Sequence, residues 1–421
     1  MANRWVAGFW CVLVGVMAVV PPARAADSEA LIKLLIKKGL ITEQELQAVQ
    51  AEAEGQGAKP PAKEAALPVM MDKVGSRLSI KGRWGAGYYH GGNASTDPSG
   101  AFRAPEAKVQ FAVTPDTVNT IIMRMNLNNA TFNNVDYFYL DSKDFLPFLK
   151  EYPLSFATRL GRFKMDFGEE TWSNNPVESA LPSNSIANVA GNDEGLQVAL
   201  TGKSAWSPRL TLGIFNGNSG TGTDNYDAKA YVAKLSATPL EPLYLSTSFF
   251  SSGALKTDAT ELSIGGLTAR PTGAIDWTRR AWEIDARYDI GKGKAKLDPP
   301  AYTDSVAYLK GAYGFFDDDA TGTSADRQGD YAFLEGLWNI TEKWYTAARW
   351  SVLDFDRDAS ATIGNVASVK LQNRYEFGGG YRWSKNTIVK GSWLIDQEDL
   401  LVAEADDASN DLLSLIVASQ F

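Results

Sequence analysis

The chain has 421 residues, with 41 lysines and arginines against 50 aspartates and glutamates, a formal net charge of −9, one cysteine and one histidine. That balance excludes nucleic acid as a partner, because phosphates call for a basic surface. His90 as the sole histidine, with no nucleophile elbow and no Cys/His cluster, argues against an enzyme and leaves neither a metal site nor a cofactor to expect.

Residues 1–25 read as a signal peptide. Arg4 supplies the positive start, Trp5 to Val20 the apolar stretch, Pro21-Pro22 its break and Ala23-Arg24-Ala25 the small-x-small cleavage pattern. Cys11 lies inside that segment and leaves with it, so no disulfide is expected; Arg4 and Arg24 leave too, so cleavage makes the protein more acidic. Residues 26–76 form a periplasmic arm and linker. Leu31, Leu34 and Leu35 precede Lys37-Lys38-Gly39, a helix closed by glycine, and Thr42 with Glu45 makes a capping box for a second helix. Gly55, Gly57, Pro60 and Pro61 then mark a linker.

From Arg77 to Phe421 the texture is alternation. In Leu371 to Trp383 the odd positions include Leu371, Tyr375, Phe377, Tyr381 and Trp383, and the even ones Gln372, Arg374, Glu376 and Arg382. Side chains alternate across a strand, so one face is apolar and the other polar. Trp282, Ile284, Ala286 and Tyr288 against Glu283, Asp285, Arg287 and Asp289 repeat the pattern. The fold class expected is all-β, a 16-stranded antiparallel transmembrane β-barrel over residues 77–421. Its strands begin near Arg77, Ala107, Val118, Val135, Ser155, Glu194, Arg209, Ala228, Leu243, Ala281, Asp304, Asp330, Trp344, Lys370, Thr387 and Asp411, a count good to about two strands. Tight turns such as Pro115-Asp116 and Thr341 to Lys343 alternate with long polar loops, among them Glu169 to Asp193, Ser252 to Arg280 and Asp317 to Gly329. Trp84, Tyr88, Tyr288, Trp344, Tyr381 and Trp383 suit interfacial girdles. Leu413, Leu415, Val417 and the terminal Phe421 share a face, which resembles the signal read by the barrel-assembly machinery. These features place the chain in the outer membrane of a Gram-negative cell, in contact with its lipids.

The stretch Thr158-Arg159-Leu160-Gly161-Arg162-Phe163-Lys164-Met165-Asp166-Phe167-Gly168 resembles the "GRFK…FG" signature of the phosphate-selective porin O and P family. Ser179-Ala180-Leu181-Pro182, Gly195-Leu196-Gln197-Val198 and Leu212-Gly213-Ile214-Phe215-Asn216-Gly217-Asn218 are similar to its next elements, and Lys37 to Glu43 to its helical arm. The resemblance implies a homotrimer whose third external loop folds into the lumen as a constriction. Here that loop is Glu169 to Asp193, which carries Glu169, Glu170, Glu178 and Asp193 and no lysine or arginine, a departure from the family's basic constriction.

Alternation puts Lys81, Arg83, Lys108, Arg124, Arg162, Lys164, Arg209, Lys234, Arg287, Lys310, Arg349, Arg374, Arg382 and Lys390 on the non-lipid faces, with fewer acids, Glu283, Asp285, Asp289, Glu335, Glu376 and Asp396. Negative charge concentrates in the external loops, as in Asp317-Asp318-Asp319. The wall is then basic within an acidic protein, and rings of charge between low-dielectric walls set selectivity. The expectation is a porin for small solutes with a preference for anions, possible phosphate selectivity among them. The bland reading of the same arginines is cross-strand pairing that only satisfies buried charge. Two other readings stay open: a sheath for a partner such as an electron-transfer cytochrome, and a non-selective or sugar-passing porin.

Overall fold

The computed structural model describes residues 77–421 except 93–94, 96, 128–134, 147, 149–150, 174, 218–227, 257–258, 292–304, 323–325, 357–360, 364–365 and 402–409. The expected signal peptide, helical arm and linker lie outside the described residues.

Side-chain burial inverts the order of a soluble protein. On one strand, Ala274–Ile290, Arg279, Glu283, Asp285, Arg287 and Asp289 are buried, while Ile275, Ile284, Tyr288 and Ile290 are exposed. An apolar face turned outward with a charged face turned inward is stable only where hydrocarbon replaces water on the outside. From Trp277 onward the alternation of sequence is what allows both faces on one strand.

Sixteen strands carry this pattern around a closed antiparallel barrel. They are β1 (Arg77–Gly91), β2 (Ala101–Thr114), β3 (Asn119–Asn126), β4 (Val135–Lys143), β5 (Leu154–Lys164), β6 (Asn192–Gly202), β7 (Arg209–Phe215) and β8 (Ala230–Leu240). Then follow β9 (Leu243–Ser251), β10 (Ala274–Ile290), β11 (Ala307–Gly322), β12 (Arg327–Asn339), β13 (Trp344–Phe355), β14 (Val366–Arg382), β15 (Thr387–Leu400) and β16 (Leu412–Gln420). Each strand pairs with its sequence neighbours, and β1 closes on β16 from Arg83↔Gln420 to Gly91↔Leu412. Closure leaves no sheet edge, which hydrocarbon would not tolerate. Phe421 completes it: Gly82 and Phe421 exchange backbone hydrogen bonds of 3.0 and 2.9 Å, and the Phe421 ring lies where a Cβ on residue 82 would stand.

One end of the barrel carries tight turns. In the β2–β3 turn Asp116 Oδ1 accepts from the amides of Val118 and Asn119 at 2.8 and 2.7 Å, and Thr341 Oγ1 accepts from Trp344 N at 2.9 Å in the β12–β13 turn. The other end carries the long loops, some shorter than the composition suggests. Asp317-Asp318-Asp319 is not loop but part of β11: Asp318 faces inward at 0% exposure and pairs with Arg279 and Arg327. Asp193 lies within β6 rather than in the preceding loop, and β10 begins at Ala274, ahead of the expected Ala281. Asp318 continues the ladder because Arg279 and Arg327 pair with it inside, and Asp193 because the amides of Glu194 and Gly217 donate to it. Outside, Trp84, Tyr288, Trp344 and Trp383 are exposed, and Trp344 packs on Tyr381 with ring centroids 4.7 Å apart.

Candidate constriction of the lumen

The described residues between 165 and 191, which link β5 to β6, turn into the barrel and run along its inner wall. A backbone held away from water must find its hydrogen bonds in the protein, and the wall supplies them. Lys234 on β8 donates to Gly168 O at 2.8 Å and pairs with Asp166 at 3.1 Å and Glu169 at 2.7 Å. Tyr244 also donates to Glu169, and the Glu169 amide donates to Asp285 at 3.1 Å. Arg349 on β13 reaches Glu170 at 3.2 Å and Ser183 O at 2.7 Å, while pairing with Glu335 and Glu376. Lys390 on β15 donates to Ser179 O and Leu181 O at 2.8 and 3.1 Å, Lys310 to Ser173 Oγ at 3.1 Å, and Tyr345 to Ala180 O at 2.8 Å. Between Glu169, Glu170, Ser173 and the wall at Asp285 and Arg287 lies a cavity of about 20 Å³, room for about one water.

Toward the long-loop end the lumen is filled with apolar side chains. Met165, Phe167, Ile186 and Val189 of the inner loop meet Phe215, Phe250, Phe316, Leu353 and Phe355 of the wall. A hairpin from the β9–β10 connection adds Leu262, Ile264 and Leu267. Its strands, Ala259–Ile264 and Leu267–Ala269, form a small sheet with Val189–Ala190 of the inner loop. Arg279, wholly buried, binds Asp318 through two nitrogens at 2.7 and 2.9 Å and donates to Leu262 O and Leu267 O at 2.9 and 2.6 Å. Arg327 joins Asp318 and donates to Ala269 O at 2.6 Å, so the hairpin is clamped to the wall. Within it, Glu261 is buried with one carboxyl oxygen unpartnered. Burial, and then the Asp193 carboxylate, push its carboxyl up to about 7.

The wall formed by β1 to β4 is different. Arg83 binds Glu106, Lys108 lies 3.7 Å from Glu106 and 3.2 Å from Asp136, and Arg124 lies 2.7 Å from Asp136. These side chains keep 13–18% of their surface exposed. Arg83 and Lys108 stand directly opposite in the ladder, an arrangement that costs stability unless acids intervene. Arg124 is stacked on Tyr137, 3.6 Å from the ring centroid. Lys164, at the end of β5, donates to Thr171 O at 2.6 Å and lies 5.2 Å from the Trp172 ring centroid. Pro176 of the inner loop comes close to Gly85 on β1, so the loop reaches this wall. Three cations here, Arg83, Lys108 and Arg124, share two carboxylates, while Lys164, 9% exposed, is bound to the inner loop.

The expected lining residues therefore divide. Arg83, Arg124 and Lys164 come together. Lys234 and Arg349 anchor the inner loop, and Arg287 is paired with Asp289 at 2.7 Å. Arg374 binds Asp396 through two nitrogens at 2.7 Å, and Arg382 donates to Asn339 at 2.6 Å. Arg209 lies 3.9 Å from Asp166. Arg162 stands opposite Phe138 and Glu194 in the ladders, near enough to Asp193 and Glu261 to draw on both. Of the expected constriction acids, Glu169 and Glu170 bind the wall, Glu178 lies in the turn after Asn175, and Asp193 accepts from Glu194 N and Gly217 N, both at 2.8 Å. Glu106, Asp136 and Trp172 were not singled out from sequence. Asp136 follows from a register shift between Arg124 and Met125, which breaks the simple alternation.

No family model and no curated protein sequence matches the chain. Among solved structures, it is similar to OmpT, an outer membrane protein of Vibrio cholerae, at a TM-score of 0.56 and 10% identity, over 84% of this chain and 100% of that one. It is similar to the outer membrane channel DcaP of Acinetobacter baumannii (0.55, 12%, 84% and 99%) and to an anion-selective porin from Comamonas acidovorans (0.54, 12%, 82% and 100%). A trimer form of the Vibrio protein matches at 0.53, 11% identity, over 82% and 99%. At these identities the likeness is one of fold: a 16-stranded barrel of the Gram-negative outer membrane.

Proposed function

We propose that the protein is an outer-membrane porin that passes small solutes by passive diffusion and favours anions. The observation that carries this reading is the β1–β4 wall, where Arg83, Lys108 and Arg124 share Glu106 and Asp136, with the Lys164 side chain of β5 beside them. With the opposite wall covered by the inner loop and its counter-charges, the field along the remaining passage is positive. The similarity to an anion-selective porin supports the reading. Phosphate selectivity is the finer form of the proposal, supported by the resemblance of Thr158 to Gly168, which forms β5 and the entry to the inner loop. Assembly as a homotrimer belongs to the same proposal, supported by the trimer form of the Vibrio barrel. A lumen occupied by its own loops leaves little room for a partner protein, which weighs against a sheath.

The test is the reversal potential of the purified protein in a planar bilayer under a KCl gradient. Anion selectivity that weakens in Lys164→Ala supports the proposal. A cation-selective reversal overturns it.

A further inference from the structure

We propose that the constriction sorts anions by flatness as well as charge, favouring arene carboxylates, with Trp172 as the specificity-determining residue. This rests on the anion-porin reading above and deepens it.

Trp172 is the aromatic residue that the inner loop sets against the basic wall. Its ring is half-buried beside the Lys164 ammonium, 5.2 Å from centroid to nitrogen, and its indole N–H has no acceptor in the fold. Lys164 makes a single hydrogen bond, to Thr171 O, and none of the described carboxylates is within ion-pair distance of it. An ammonium has three donors, and this one, 9% exposed, spends one of them on the inner loop. On the β3–β4 wall, stacking on Tyr137 and pairing with Asp136 fix the guanidinium plane of Arg124. On this proposal the passage runs between the Trp172 ring and these cations, and a solute meets both. An aliphatic carboxylate gains the charge interaction alone. A flat aromatic carboxylate adds ring–ring contact with Trp172 and stacking on a guanidinium plane.

The experiment compares benzoate with cyclohexanecarboxylate, matched in charge and close in size, as blockers of the chloride current through single channels. Benzoate is expected to block at a roughly two- to tenfold lower concentration, and Trp172→Leu to bring the two blockers together. Trp172→Phe, which keeps a ring, is expected to fall between. Equal block by both acids in the wild-type channel, with an anion-selective reversal potential, overturns this inference and leaves the porin reading standing. Discrimination that persists in Trp172→Leu also overturns the assignment. A cation-selective reversal potential overturns the underlying function and this inference with it.

Discussion

On β8, β13 and β15, Lys234, Arg349 and Lys390 are at most 5% exposed, and each holds the backbone of the inner loop. On β1 to β3, Arg83, Lys108 and Arg124 keep 13–18% of their side-chain surface exposed and share two carboxylates. Both groups are cations on the inward face of strands, and by alternation they are equivalent. The difference lies in what the inner loop does. Where it lies against the wall, it removes water, and each buried charge then needs a fixed partner or costs several kcal/mol. Where it stands clear, charge remains hydrated and available to a solute. An inward cation is thus a structural anchor or a selectivity element according to whether the loop covers it.

The sharpest way to break this contrast is to remove an anchor. Arg349→Met leaves Glu170 without its cation and Glu376 without its guanidinium in a dry site. Breaking a buried pair from one side costs ~3–5 kcal/mol, expected as a lower unfolding temperature in detergent and as larger, noisier single-channel currents once the loop loosens. Quiet channels of wild-type size and stability would show that the loop is held by other means.

A smaller effect is expected from the open wall, but on selectivity. Arg124→Gln removes one of the three cations that share Glu106 and Asp136 and is expected to shift the reversal potential toward zero with little loss of stability. Arg374→Gln, whose guanidinium is matched by Asp396, is expected to shift it less. The gap between the two variants is expected to narrow in molar salt, where screening reaches only ~3 Å. Equal shifts in both would dissolve the distinction between the walls.

The smallest effect concerns the hairpin. The folded value of Glu261, about 7, lies above the ordinary 4.5. Docking of the hairpin is therefore favoured while the carboxyl is protonated, weakens as pH rises from about 4.5 toward 7, and carries its full penalty above. Protease access to the hairpin is expected to be greater at pH 8 than at pH 5, and Glu261→Gln to flatten that dependence. A pH-independent wild type would remove the buried carboxylate from the account.

Much of the barrel was legible in advance. The starts of β1, β4, β7, β9, β13 and β15 fall on the residues that alternation marks, Arg77, Val135, Arg209, Leu243, Trp344 and Thr387. Leu413, Leu415 and Val417 are exposed on the face that alternation predicts for them. Asp317 to Asp319 read as loop because they are polar, and the first residues of β10 because a register shift between Ala274 and Trp277 breaks the alternation. Asp318 and Arg279 satisfy each other inside the wall, and a reader of one segment sees only half of such a pair. Asp136 and Trp172 were missed for a related reason, since a register shift and a loop path are not periodic.

Strand formation, the outward apolar belt and the inward polar face were determined by the sequence itself, because a period of two is local and shows in any ten consecutive residues. Which inward cations stay available to a solute was decided only by tertiary structure. Arg349 meets Glu170 across 179 positions of chain and Lys390 meets Leu181 across 209. Contacts of that span depend on where one loop lies once the barrel has closed, and burial there, rather than the identity of the side chain, separates the two roles.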